Sequence, residues 1–83
     1  MKLYLISQDS ESGYDTFDSA VVCAENAADA KTIHPINSWG PRDNNGWGDN
    51  TWCKSPEQVR AIYIGKAAAD LPRGVVLASF NAG

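Results

Sequence analysis

The sequence predicts an α+β domain: a small, mostly antiparallel sheet of about four strands, one helix packed on a face, and a long tryptophan-bearing loop. Three observations point to it. Four short runs rich in β-branched, leucine and aromatic residues are separated by polar, turn-forming segments. One alanine-rich run has a capping residue at its start and a proline at its end. Pro35 to Lys54 follows neither the helical nor the strand period. No repeat, linker or low-complexity segment divides residues 1–83, so the chain reads as a single domain.

"KLYLIS", Lys2 to Ser7, is short, apolar and stopped by a polar run, which suits a buried strand better than a helix of under two turns. "QDSESGYDTFD" follows, with Ser, Asp and Gly that favour turns. Tyr14 and Phe17 within it predict packing at its far end. "SAVVCA" is the second strand, beginning near Asp18. In "ENAADAKTIHP", Asn26 is a good N-cap, Asp29 can approach the first-turn amides, and Ala27, Ala28 and Ala30 favour helix. Pro35 ends that helix, because the residue before a proline avoids helical geometry. Ala27, Ala30 and Ile33 form its narrow apolar face, and small alanines imply close approach to the sheet.

An irregular stretch as long as Pro35 to Lys54 either serves a function or holds local structure that periodicity does not show. "RDNNGWG" reads as one or two tight turns. Ser55 before Pro56 starts a helical turn through Gln58. Val59, Ala61 and Tyr63 alternate with Arg60, Ile62 and Ile64 as a third strand. "AADLPRG" looks like a hairpin connection to the fourth strand, "VVLASFNA". The link between the second and third strands is also long enough for a right-handed parallel crossover. An uncovered sheet face, or the edge strand "VVLASF", would favour a homodimer.

Net charge is −3, and its distribution is uneven. Between Lys2 and Lys31 lie Asp9, Glu11, Asp15, Asp18, Glu25 and Asp29 without a base, whereas from Lys31 onward there are six bases and four acids. Direct nucleic-acid binding is disfavoured, since it needs clustered Lys and Arg. A basic protein surface is the expected partner for Asp9, Glu11, Asp15 and Asp18. The apolar run in Met1 to Ile6 is too short for a signal peptide or a membrane span, so a cytoplasmic protein without membrane contact is expected.

Catalytic signals are missing from the sequence. It has no GxSxG, P-loop or GxGxxG, and no evident base beside either cysteine. Cys23 and Cys53, with one histidine and no CxxC, do not make a metal site, and no cofactor is expected. Free thiols are expected, with Cys23 as a small core residue. His34 reads as a helix C-terminal residue favouring the dipole rather than as a general base. Asp15 and Asp18 read as solvated or capping acids rather than as a catalytic pair. We therefore expect a binding protein, not an enzyme.

Trp39, Trp47 and Trp52 all fall in the irregular segment. Trp52, beside Cys53, reads as core. Trp47, between Gly46 and Gly48 at the loop tip, reads as the exposed anchor for a partner. The alternative is a small-ligand or nucleotide-binding module, in which the tryptophans and Tyr14 wall a pocket and Arg42 or Lys54 reads a phosphate.

Taken together, "KLYLISQ", "GYDTFDSAVVCAENAADA", "IHP", "YIGKA" and "GVVLASFNAG" carry a resemblance. The chain, outside Asn37 to Gln58, resembles a group of short phage and prophage proteins, most of them uncharacterised. What the resemblance implies is a small accessory protein of a mobile element, acting in the host cell. Such proteins include anti-CRISPR and other anti-defence inhibitors. These commonly bind a host protein, such as a CRISPR-Cas or other nucleic-acid-binding defence component, and block its nucleic-acid site without catalysis.

Overall fold

The computed structural model describes residues 1–82. Its sheet contains β1 (Lys2–Ser7), β2 (Thr16–Ala24), β3 (Arg60–Lys66) and β4 (Gly74–Asn81), in the order β3-β1-β2-β4. Every neighbouring pair is antiparallel, as the sequence predicts. β2 and β3 flank β1 and so run in the same direction. The helix and the long loop therefore form a crossover on one face, although no adjacent strands are parallel.

Alternation decides which side chains that crossover covers. Tyr4 and Ile6 of β1 share a face with their partners Val22 and Ala20 of β2, and all four are buried. Above them lie Ala30, Ile33, Ile36, Trp52, Cys53 and Val59, which complete the main core. The long loop is thus a cover on the helix side. It is tied to the sheet by the Phe17 amide, which donates to the Thr51 carbonyl at 2.7 Å.

The helix is shorter than predicted. α1 spans only Ala27–Ala30, although its capping is as expected: Asn26 Oδ1 accepts from the Asp29 amide at 2.8 Å. Asp29 in turn accepts from the Glu25 amide at 3.0 Å. Two competitors end the helix before Pro35. The Thr32 hydroxyl donates to the Asp29 carbonyl at 2.6 Å, and the Ile33 amide reaches back three residues to Ala30, tightening the chain. Pro35 then starts a separate 3-10 turn, Pro35–Trp39. His34 is the cap of that turn, its Nδ1 accepting from the Ile36 amide at 3.1 Å. It is therefore not the dipole-facing end of α1.

"AADLPRG" is not a hairpin, because β3 and β4 occupy opposite edges of the sheet. The segment crosses the end of the sheet. The Ala67 amide donates to the Met1 carbonyl at 3.1 Å, and the Cys23 thiol donates to the Leu71 carbonyl at 3.7 Å. Cys23 is fully buried, but it lies beneath this crossing, on the face opposite Val22 and outside the main core cluster. Both cysteines are free thiols.

One glycine in the loop is required on two counts. Asn44, Asn45 and Gly46 are consecutive left-handed residues with φ of 54°, 54° and 91°. Asparagine and glycine are the residues that adopt this geometry most readily. Gly46 is also buried, and a Cβ there would sit 2.4 Å from Ile36 Cγ2 and 3.1 Å from the His34 ring. Gly46→Ala is expected to destabilise by about 2 to 4 kcal/mol, combining left-handed strain with overpacking. Gly48→Ala, with φ of 100° and open space, should show only the strain, about 1 kcal/mol. Urea midpoints of the two variants measure the difference, and equal losses would contradict the close approach.

Candidate functional site

Asp9, Glu11 and Asp15 lie together at one end of the sheet, on the loop between β1 and β2, which the buried Gln8 amide holds from the β1 side. Gln8, just past β1, donates from Nε2 to the Glu11 carbonyl (2.7 Å) and the Phe17 carbonyl (3.3 Å), and accepts the Glu11 amide on Oε1 (2.8 Å). The far side of the loop is tied as well. Thr16 Oγ1 and Asn81 Nδ2 both donate to the Gly13 carbonyl, at 2.9 and 2.7 Å, and the Asp15 amide donates to the Asn81 carbonyl. Gly13 and Asp15 take the positive φ that the tight turn requires. The β1–β2 connection is a braced turn, and Asp9, Asp15 and Tyr14 are exposed on it while Glu11 is half-buried.

Asp18 continues this edge as an exposed residue at a bulge, between the register pairs Phe17–Phe80 and Ser19–Ser79. Beside it, Phe17 and Phe80 meet at 4.9 Å between ring centroids, and Trp39 closes the triangle at 5.2 Å and 4.9 Å. Trp39 is 55% exposed and Tyr14 76%. The end of the sheet thus presents acids together with two large aromatic side chains, one of them fixed in place by the rings beneath it.

Folding brings cations to part of the acidic block. Arg60 pairs with Asp9, and Arg73 forks onto Asp29 with hydrogen bonds of 2.8 and 3.0 Å. The Arg73 hydrogen bond, helped by the Glu25 amide, holds the Asp29 carboxyl below its ordinary range. Glu11 and Asp18 have no salt bridge among the described residues.

The tryptophans are arranged differently from the sequence-based expectation. Trp52 is fully buried, as expected. Trp47 is not an exposed tip. It is half-buried with its ring edge-on to His34 at 5.1 Å, and its Nε1 donates to the Thr32 carbonyl at 3.4 Å. The left-handed turn at Asn44–Gly46 folds it inward, and Trp39 is the tryptophan left outside. Trp47 is also remote from the acidic loop in kind: it walls a cleft of about 550 Å³ with Thr32, Asn37, Asn45, Arg73 and Val75. Tyr14, Arg42 and Lys54 do not line this cleft, and its cation, Arg73, is engaged by Asp29 and by the Thr32 hydroxyl at 3.1 Å.

His34 is sealed between Trp47 and Trp52, with no exposed surface. Burial drives its pKa down to about 4, against a smaller opposing effect of Asp49. Protonation would also forfeit the acceptor that caps Ile36. A neutral, enclosed imidazole has no route to a substrate. Burial likewise pushes the Cys53 thiol up, away from the reactive thiolate. No group of three or more His, Cys, Asp or Glu among the described residues could hold a metal ion, and no described helix is long and apolar enough to cross a membrane.

Sequence reasoning missed Trp39 and Gln8. Phe17 and Phe80 gave no sign of being cross-strand partners until the register was known, and a glutamine after a strand carries no signal by itself. Comparison with family models, curated proteins and solved structures gives no match to this chain.

The His34 shift sets a pH dependence. Its folded pKa lies below the ordinary 6.5, so the unfolded chain takes up the proton first. Stability is complete above about pH 6.5 and falls as pH drops toward about 4, by about 3 kcal/mol in all. Asp29 adds a loss in the same direction at still lower pH. Urea melts across this range should show the slope, and His34→Asn, which keeps a cap acceptor for Ile36, should flatten it between pH 6.5 and 4. An unchanged slope in that variant would assign the effect elsewhere.

Proposed function

We propose that this is a non-catalytic binding protein whose acidic, aromatic sheet end docks on a basic surface of a host protein. The observation that carries the reading is the braced β1–β2 turn, which holds Glu11, Tyr14 and Asp15 next to Asp18 and the ring-supported Trp39. A preorganised loop loses little conformational freedom on binding. Carboxylates steer it toward Lys and Arg, and Tyr and Trp are the side chains that most often anchor interfaces. Basic surfaces of this kind are those that otherwise hold nucleic acid. An acidic competitor at such a surface is the chemistry of an anti-CRISPR or other anti-defence inhibitor, which agrees with the phage-type resemblance. The small-ligand alternative has less support, because the cation in the Trp47 cleft already has a carboxylate partner.

The test begins with capture of the host partner from lysate and proceeds to association kinetics with the purified partner. Glu11→Gln, Asp15→Asn and Asp18→Asn combined should slow association about tenfold or more at low salt and flatten its salt dependence. Trp39→Ala should accelerate dissociation, weakening affinity by more than about 1 kcal/mol. Trp47→Ala should act mainly on stability. Capture that is indifferent to both the charge and the Trp39 variants would end this reading.

A further inference from the structure

The cleft beside Trp47 lies apart from the acidic end. It opens at Gly74 and Val75, the first residues of β4, which is an edge strand. The acidic loop is tied to Asn81, at the other end of the same strand. Between the two run seven residue steps of about 3.3 Å, or about 23 Å. At about 550 Å³ the cleft falls within the usual span of small-molecule sites, roughly 300 to 1,000 Å³.

Its polar groups are fixed by the protein itself. Asn37 donates both Nδ2 hydrogens, to the His34 carbonyl at 3.1 Å and the Asn45 carbonyl at 2.7 Å, which leaves Oδ1 as a positioned acceptor. Arg73 commits Nε and Nη2 to Asp29 and the Thr32 hydroxyl, which leaves the two Nη1 hydrogens. Trp47 is pinned through its Nε1 to the Thr32 carbonyl and by its ring contact with His34. The Asn45 side-chain amide has no hydrogen-bond partner among the described residues. Its backbone is left-handed, with φ of 54°, where glycine would be less strained. The turn itself thus has no need of this amide, and strained residues of this kind gather at ligand sites.

We propose that this cleft binds a neutral saccharide, a mono- or disaccharide unit, with Trp47 against the C–H face of a sugar ring and Asn37, Asn45 and Arg73 on its hydroxyls. The lining determines the class. Of the residues that form it only Arg73 is ionisable, and Asp29 neutralises that charge. A phosphate or carboxylate ligand would have to displace Asp29, and a cationic ligand would have to displace Arg73. A neutral ligand displaces neither. Each sugar hydroxyl both donates and accepts, which matches the mixed set of a fixed acceptor, a free amide and guanidinium N–H groups. Trp47 supplies one flat aromatic wall in a lining that is otherwise mainly polar. A sugar ring has an apolar C–H face and a polar rim, whereas a nucleobase is apolar on both faces and would leave one of them against polar groups.

Heteronuclear NMR of the intact protein tests this, with the methyl glycosides of glucose, galactose, mannose and N-acetylglucosamine and the disaccharides maltose and cellobiose as probes. At least one should saturably shift the Trp47 indole N–H and the Asn45 side-chain amide at millimolar concentration. Asn45→Gly removes the amide and relieves the backbone, so its urea midpoint should stay close to that of the wild type. Its sugar dissociation constant should nevertheless rise about tenfold or more. Glu11→Gln, Asp15→Asn and Asp18→Asn combined should leave sugar binding unchanged, which separates this proposal from the docking of the acidic end. No shift from any probe at tens of millimolar, or shifts that Asn45→Gly leaves as they are, would overturn it. So would adenosine or inorganic phosphate moving the same resonances more strongly than the sugars do.

Discussion

The structure depends on the burial of Trp52. A four-residue helix with an alanine face cannot cover a four-stranded sheet, so the cover has to come from irregular chain. Trp52 supplies it, as a fully buried ring beside His34, whose other flank meets Trp47. Such rings bury about 150 to 250 Å² each, a large share of the core in a domain this small. The backbone must then bring that ring in, which explains the succession of tight turns. His34 caps one, Gly46 presses against both His34 and Ile36, and Thr51 takes the amide of Phe17 at the start of β2. A buried imidazole is the consequence: packed among aromatic rings, it remains neutral.

The same arrangement places the acidic end. β2 begins where Thr51 anchors it, so Phe17 is directed into the core and toward Phe80. Those two rings leave a platform at the end of the sheet, and the first 3-10 turn lays Trp39 upon it. Gln8 fixes the neighbouring loop from the β1 side. Two unrelated buried polar groups, the Gln8 amide and the His34 ring, thus determine where the exposed aromatic and acidic side chains stand. Both are buried, and each fixes the place of exposed side chains next to it in the chain.

The strands were legible because their signal is local. β1 occupies Lys2–Ser7 as read, and β4 and the Pro56–Gln58 turn fall within a residue or two of their expected places. The four-strand antiparallel sheet with one helix follows from them. Strand order was less accessible: "AADLPRG" has hairpin composition, but β1 and β2 occupy the centre and force it to cross. The helix end was misplaced because Thr32 competes for the Asp29 carbonyl, which propensity alone does not weigh. Trp47 was misjudged for a similar reason. Flanking glycines suggest an exposed tip, yet three successive left-handed residues turn the ring inward, and only the burial of Gly46 shows it. The acids were legible as a block in sequence, but not the arginines that meet Asp9 and Asp29 from far along the chain.

The acidic end and the aliphatic row of the open face, Ile62–Leu5–Val21–Leu77, are kept apart by the chemistry of the row between them. That row runs Arg60–Ser7–Ser19–Ser79, and from its edge Arg60 reaches across to pair with Asp9. Serine hydroxyls can hydrogen-bond to water at little cost. The exposed carboxylates of the β1–β2 loop therefore do not border the apolar side chains directly, and the one cation between them is drawn toward the acids.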